Sequence, residues 1–282
     1  MKTSEGIGGP GFKVLATDLD GTILDSRGRL SEENLEALHE LGRRGICRVL
    51  ATGRSIFSLK RALSGLLPVD YIVFSTGAGI LEVESGDLIW RKGLDQVDAG
   101  RIAAYFMDRD ISFMVHHPVP ENHRFHVYRA DTALHPDFLR RMEFYKGFWE
   151  WWDEEKTDMA GAAQFLTILE PSVSAFNGLA AGLKAFKVIR TTSPIDHRSF
   201  WMEVFPHGVS KGDALHFLMR RLGVGAHELV AMGNDYNDLD MLEVARRAYV
   251  TGNAAIELQS QFTVIPCNDD HALDWLVRNV SM

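Results

Sequence analysis

Cysteine is scarce in this chain, with two residues, Cys47 and Cys267, among 282. Two thiols so far apart build no disulfide framework, and no C-x-x-C pair offers a redox or structural-metal site. Each has apolar neighbours, so both read as buried thiols of a reducing compartment. Long apolar runs are missing as well. Nothing approaches the roughly 18 residues that span a bilayer, and the opening MKTSEGIGGPGFK has no apolar core of signal-peptide length. A soluble, cytoplasmic protein with no membrane partner is expected. A basic excess is also absent: Lys and Arg total 30 against 38 Asp and Glu, a formal net charge of −8. That balance excludes the electrostatic footprint of a nucleic-acid binder. It does not exclude a small anionic ligand, because one metal ion or a few local cations reverse the field inside a cleft. With 46% hydrophobic and 24% charged residues, the chain has the chemistry of a folded globular protein.

Short apolar runs alternate with helical patterns from Phe12 onward. FKVLAT (12–17) reads as a strand, and Ser31 caps a helix to about Arg44 with Leu35, Leu38 and Leu41 at helical spacing. Gly45 stops that helix, and Ile46–Ala51 reads as a second strand. A helix over 57–66 and a strand at 71–74 repeat the unit, which opens a parallel sheet covered by helices. Residues 77–90 then read as a turn and hairpin. A His- and aromatic-rich stretch follows, punctuated by Pro118, Pro120, Pro136 and Pro171. The α/β rhythm resumes at Ser199 with the strand WMEVF, a helix at 211–222, a strand at 229–232, a helix at 238–246 and a strand at 248–250. A strand at 262–265 and a helix at 272–279 close the chain. An insertion in a split core gives the expected division: core over 1–83, inserted unit over 84–190, core over 191–282.

Four segments at predicted strand ends or helix starts carry chemistry. Asp18 and Asp20, within DLDGT (18–22), place two carboxylates after the first strand, where open α/β sheets bind ligands. Neighbouring carboxylates repel unless a cation sits between them. Ala51-Thr52-Gly53-Arg54 offers a hydroxyl and backbone N–H groups to an anion. Lys211 starts a helix capped by Ser210, an unfavourable place for a cation unless it has a task. GNDYND (233–238) is dense in the hard oxygen donors that Mg²⁺ requires. An Asx-rich turn, a helix cap or a solvated lysine would explain each one singly. Four such segments at one sheet edge are harder to explain that way.

Together these residues resemble a haloacid-dehalogenase-superfamily phosphatase of the Cof type, whose α/β core carries a large cap inserted after its third strand. Thr76-Gly77-Ala78, Gly252-Asn253-Ala254 and Asn268-Asp269-Asp270 add to the likeness, whereas the cap matches only in size and position. The resemblance implies a doubly wound, mostly parallel α/β sheet with an inserted α+β cap. It implies Mg²⁺-dependent hydrolysis of a small phosphorylated metabolite, with sugar phosphates foremost. Asp18 matches the nucleophile that forms an aspartyl-phosphate, and Asp20 the general acid/base. Thr52 and Lys211 match the residues that hold the phosphoryl group, with Gly53 and Arg54 beside them. The metal is bound in such enzymes by the nucleophile, the backbone carbonyl of the second aspartate (Asp20) and an acidic residue of the last motif. That acidic position holds Asn234 here. Either Asn234 ligates through its amide oxygen with Asp235 or Asp238 supplying charge behind it, which is the favoured arrangement, or Asp235 moves in as the ligand. Thr76 also departs from the family, which commonly has Asn there. The alternatives are a phosphotransferase or mutase, and a non-catalytic protein that kept the fold. The physiological substrate stays open, as does the choice between monomer and homodimer.

Some signals are set aside. GIGGPG (6–11) satisfies G-x-G-x-x-G but precedes a strand and contains Pro10, so a dinucleotide site fails and a disordered tail is expected. His116, His117, His123 and His126 lack the Cys or HExxH companions of a transition-metal site. They are expected to pack, to be solvated, or to contact substrate, with Arg124 and Arg129 nearby. Trp149, Trp151 and Trp152 cannot all face one core, so one is expected to be exposed.

Overall fold

The computed structural model describes residues 11–63, 65, 67–155, 157–193 and 195–280. The glycine-rich segment up to Pro10, where the disordered tail was expected, lies outside the described residues. Elements in chain order are β1 (Val14–Thr17), α1 (Glu32–Arg43), β2 (Cys47–Ala51), α2 (Ile56–Ala62), β3 (Tyr71–Phe74), β4 (Gly79–Glu82) and β5 (Leu88–Arg91). There follow α3 (Gln96–Met107), β6 (Phe113–His116), β7 (Phe125–Tyr128), α4 (Pro136–Phe144), β8 (Trp149–Trp151), β9 (Phe165–Leu169), α5 (Val173–Ala180), β10 (Lys187–Thr192) and β11 (Phe200–Phe205). Last come α6 (Lys211–Leu222), β12 (Leu229–Gly233), α7 (Leu239–Val244), β13 (Arg247–Thr251), α8 (Ile256–Gln259), β14 (Thr263–Ile265) and α9 (Ala272–Asn279).

Two sheets result. The first runs β14-β13-β12-β1-β2-β3-β4-β5, parallel from β14 to β3 and antiparallel through the β4–β5 hairpin. Its strands alternate between two helical layers, as the pleat requires. Leu15, Leu50 and Ile72 pack with Leu38 and Leu41 of α1 and with Leu273 and Leu276 of α9. Val14, Ala16 and Val49 pack with Leu215 and Leu218 of α6 and with Met241 of α7. Being apolar on both faces, these strands read as the near-continuous hydrophobic runs of a parallel sheet. Ser31 caps α1 as expected, its side chain accepting from the Asn34 N–H, but Leu35 is exposed and Ala37 fills its place in the core.

The second sheet runs β10-β11-β9-β6-β7-β8. One face packs against α3 and α5 through Phe106, Phe113, Phe165 and Phe176. The other carries Met114, Leu166 and Trp201, packed with Phe138 and Met142 of α4. Sheet membership corrects two expectations. β5 lies beyond residue 83 yet belongs to the first sheet, paired with β4. The strand containing WMEVF was expected to resume the first sheet; as β11 it pairs with β10 and β9 in the second. An isolated apolar strand carries no record of its partner, and the expected limits at 84 and 190 fell short for that reason.

Cys47 and Cys267 are half-buried, not buried; both are free, and burial pushes the Cys47 thiol up to about 12. Of the three tryptophans Trp151 is 54% exposed, at the sheet edge, while Trp149 donates to the Met142 carbonyl and Trp152 stacks edge-on against Phe113. His116 is buried and bonds to the Asn122 carbonyl, and His123 stacks on Phe57 of α2 at 4.3 Å. Among the described residues no helix is long and apolar enough to cross a membrane.

Candidate active site

Strands β12, β1, β2 and β3 are neighbours, so the loops leaving their carboxyl ends converge. The first loop brings Asp18, the second Thr52-Gly53-Arg54, the third Ser75-Thr76-Gly77 and the fourth Asn234–Asp238. Lys211 enters from the first turn of α6, which Ser210 caps by accepting from the Asp213 N–H. Gly77, at φ +101°, lets this helix start approach closely: a Cβ there would lie 2.1 Å from the Ser210 carbonyl oxygen.

Lys211 is fully buried between two carboxylates. Its Nζ lies 2.6 Å from Asp18 Oδ1 and 2.6 Å from Asp238 Oδ1. Burial works against its charge, but the two anions outweigh that cost and raise its pKa. This is the task that explains a lysine at the start of a helix. The remaining oxygen of Asp238 accepts the backbone N–H groups of Asn234 (2.8 Å) and Asp235 (3.0 Å), so Asp238 shapes the 233–238 turn. Burial, with Asp238 close behind, raises the Asp18 pKa against the pull of Lys211.

Asp18 Oδ2 accepts from Thr22 Oγ1 at 3.1 Å, and the same hydroxyl lies 3.2 Å from Asn234 Oδ1. Two acceptor oxygens thus converge on a group with a single proton to give. Gly21, at φ +73°, makes room for this approach, since a Cβ there would lie 2.4 Å from Asn234 Nδ2. The turn brings Asn234, and not Asp235, beside Asp18. Asp235 faces the other sheet: its carboxylate accepts the N–H of Thr192 (3.1 Å), with Thr192 Oγ1 at 3.5 Å, and the N–H of Tyr236 (2.8 Å). The carboxylates expected as metal ligands at Asp235 and Asp238 are therefore both engaged elsewhere.

Asp20 stands on the same loop as Asp18 but binds Arg54, whose Nε and Nη2 reach its two oxygens at 2.7 and 2.6 Å. The expected phosphate-binding guanidinium is thus held by a carboxylate. Thr52 is buried, its Oγ1 accepting the Arg54 N–H at 3.1 Å.

The donor set fits a hard divalent cation beside Asp18. Three carboxylates (Asp18, Asp20, Asp238) meet two cations (Lys211, Arg54), leaving surplus negative charge before any phosphate arrives. Asp18 Oδ2 and Asn234 Oδ1 are oxygen donors brought together around the Thr22 hydroxyl. Among the described residues no group of three or more His, Cys, Asp or Glu side chains is gathered for a metal, so such an ion would keep water or phosphate oxygens, as Mg²⁺ commonly does.

Sequence reasoning missed the pairing of Asp238 with Lys211, and it missed Thr22 and Glu203. Glu203 lies at the junction of the sheets, where its carboxylate accepts from Thr76 Oγ1. A lone charge inside the apolar strand FWMEVF was the available signal.

The chain matches the family model of the haloacid dehalogenase-like hydrolases over residues 15–275. It is 27% identical over 289 residues to the 5-amino-6-(5-phospho-D-ribitylamino)uracil phosphatase YwtE of Bacillus subtilis, covering 94% of this chain and 97% of that protein. It is 28% identical to an HMP-PP phosphatase of an Enterobacter species, covering 90% and 89%. Among solved structures it is similar in fold to the superfamily phosphatase BT1666 of Bacteroides thetaiotaomicron, with a TM-score of 0.79 at 22% identity over 98% of both chains. The subclass IIB sugar phosphatase BT4131 has a TM-score of 0.75 at 17% identity, covering 94% of this chain and 98% of that one. With the match spanning nearly the whole length and the two-sheet fold shared, the chain belongs to the haloacid dehalogenase-like hydrolases and is an enzyme of that family.

Proposed function

We propose that the chain is a Mg²⁺-dependent phosphatase that hydrolyses a small phosphomonoester through an aspartyl-phosphate on Asp18. The observation that carries this reading is the buried Lys211 ammonium, clasped by Asp18 and Asp238 at the carboxyl edge of the parallel sheet. A carboxylate attacking a phosphate dianion meets like-charge repulsion, so the reaction needs positioning and neutralisation above all. Mg²⁺, held by Asp18, Asn234 and the backbone carbonyl of Asp20, would supply the neutralising charge. Lys211 fixes the orientation of Asp18, and the turn at Thr52 and Gly53 receives the phosphoryl oxygens. Once released from Arg54 and protonated from solvent, Asp20 gives that proton to the leaving alcohol and later takes one from the water that cleaves the acyl-phosphate. Arg54 occupies both oxygens of Asp20, so their pair opens as the incoming phosphate competes for the guanidinium.

The two curated relatives are named for small phosphorylated compounds, which supports that substrate class. The second sheet covers the loops and excludes water while the acyl-phosphate forms. Two free thiols and a net charge of −8 suit a cytoplasmic enzyme acting on metabolites.

A Mg²⁺-dependent assay with p-nitrophenyl phosphate tests the reading: turnover in the natural chain and its loss in Asp18→Asn are expected. Undiminished activity in Asp18→Asn would refute it. Equal release of phosphate and alcohol in the presence of excess glycerol separates hydrolysis from transfer, which leaves phosphate short.

A further inference from the structure

Glu203 is a buried charge that the chemistry above does not use. It interrupts β11, whose neighbouring side chains Trp201, Met202, Val204 and Phe205 are buried and apolar. Its partners across the sheet are Leu166 and Ile189, and Ile189 and Phe205 pack into the core of the first sheet, so this face turns toward the catalytic loops. The carboxylate is 6% exposed and receives two neutral hydrogen bonds, from Gln164 Nε2 at 3.1 Å and Thr76 Oγ1 at 3.3 Å. A carboxylate offers about four lone-pair sites, and a buried charge with half of them filled is costly to keep. No salt bridge reaches it among the described residues.

The position of Thr76 shows what this carboxylate borders. Thr76 Oγ1 lies 3.6 Å from where a Gly53 Cβ would stand, so Glu203 is one side chain away from the turn that receives phosphate. Thr76 is held in the left-handed region at φ 56°, as is Ser75 at φ 51°, and Ser75 Oγ accepts from Asn122 Nδ2 at 2.7 Å. Among the described residues Asn122 Oδ1 and Arg141 Nε, also buried, find no hydrogen-bond partner. Glu203, with two of its lone-pair sites filled, therefore stands near a buried acceptor on Asn122 and a buried donor on Arg141, whose guanidinium lies over the Trp201 ring of the same strand.

We propose that Glu203 is a specificity-determining residue whose carboxylate accepts a hydrogen bond from a hydroxyl or N–H group on the alcohol part of the substrate. The inference rests on the phosphatase reading and adds a preference to it. Phosphomonoesters with such a donor near the ester are favoured over those without, because binding a donor-free substrate strands a buried carboxylate.

The test compares kcat/KM for glycerol phosphate and propyl phosphate, which differ in hydroxyls, in the natural chain and in Glu203→Gln. The natural chain is expected to favour glycerol phosphate, and the substitution to shrink that ratio roughly ten- to hundred-fold, the worth of a hydrogen bond to a charged group. If both substrates lose equally and the ratio holds, Glu203 merely clamps the two sheets through Thr76 and the proposal falls. It also falls if the natural chain shows no preference. Should Glu203→Gln fail to fold, Glu203→Asp keeps the charge but withdraws it by one methylene, and the same ratio is read. No Mg²⁺-dependent turnover of glycerol phosphate, propyl phosphate or p-nitrophenyl phosphate by the natural chain would instead sink the underlying phosphatase reading.

Discussion

Replacing Lys211 with methionine removes the ammonium while keeping most of the side-chain volume. Asp18 and Asp238 would then face each other, buried, with nothing between them. The strain is relieved when one of the two takes a proton. Deleting one partner of a buried ion pair costs roughly 3–5 kcal/mol, because the remaining charge is left buried without compensation. The pH dependence has a definite sign. A carboxyl whose pKa is raised in the folded state binds its proton more tightly there, so it destabilises the fold increasingly as pH climbs above the unfolded value. The penalty of Lys211→Met is therefore expected to be smaller at pH 5 than at pH 7. Urea unfolding followed by circular dichroism at the two pH values measures it. A loss under 1 kcal/mol, or one indifferent to pH, would show that Lys211 is not the counter-charge of this pair.

Asp235→Ala is expected to raise the Mg²⁺ concentration needed for half-maximal activity less than Asp18→Asn weakens metal binding by titration, because Asp235 serves Thr192 and not Asn234. Faster amide exchange over Lys187–Thr192 would accompany it, and an Asp235→Ala enzyme with no detectable Mg²⁺ binding would reverse the assignment. His116 gives an acid-sensitive term. Burial, with Arg141 adding to it, pushes this imidazole down to about 3. The unfolded chain binds its proton near pH 6.5 and the folded chain does not, so stability is lost as pH falls below that value, by about 2 kcal/mol at pH 5. His116→Gln is expected to flatten that slope between pH 7.5 and 5; an unchanged slope would assign it to other groups.

Much of the scaffold was legible because each element carried its own period and punctuation. The α6 segment Lys211–Leu222 was bounded by the Ser210 cap and Gly223, and β3 was marked by an apolar run between polar turns. Pairing was less legible. β11 has the composition of any buried strand, and only its register against β9 and β10 assigns it to the second sheet. In the site, the motifs named the right loops but not the directions of their side chains. Asp235 and Asp238 look alike in sequence, yet a short 3₁₀ turn over Tyr236–Asp238 sends one toward Thr192 and the other onto Lys211. Asn234 reaches Asp18 because Gly21, in its left-handed turn, leaves the space. Glu203 belongs to no motif, and its meaning comes from a sheet whose partners are distant in sequence.

The account stands on Asp18 acting as the phosphoryl acceptor. Quenching the enzyme during turnover of p-nitrophenyl phosphate with Mg²⁺, reducing it with borohydride and sequencing the peptide containing residue 18 by mass spectrometry tests that step directly. An acyl-phosphate at Asp18 is reduced to homoserine, so homoserine at position 18 that appears with substrate and vanishes without it is the expected result. An unmodified Asp18 under steady turnover, with the reduced residue elsewhere or nowhere, would contradict it.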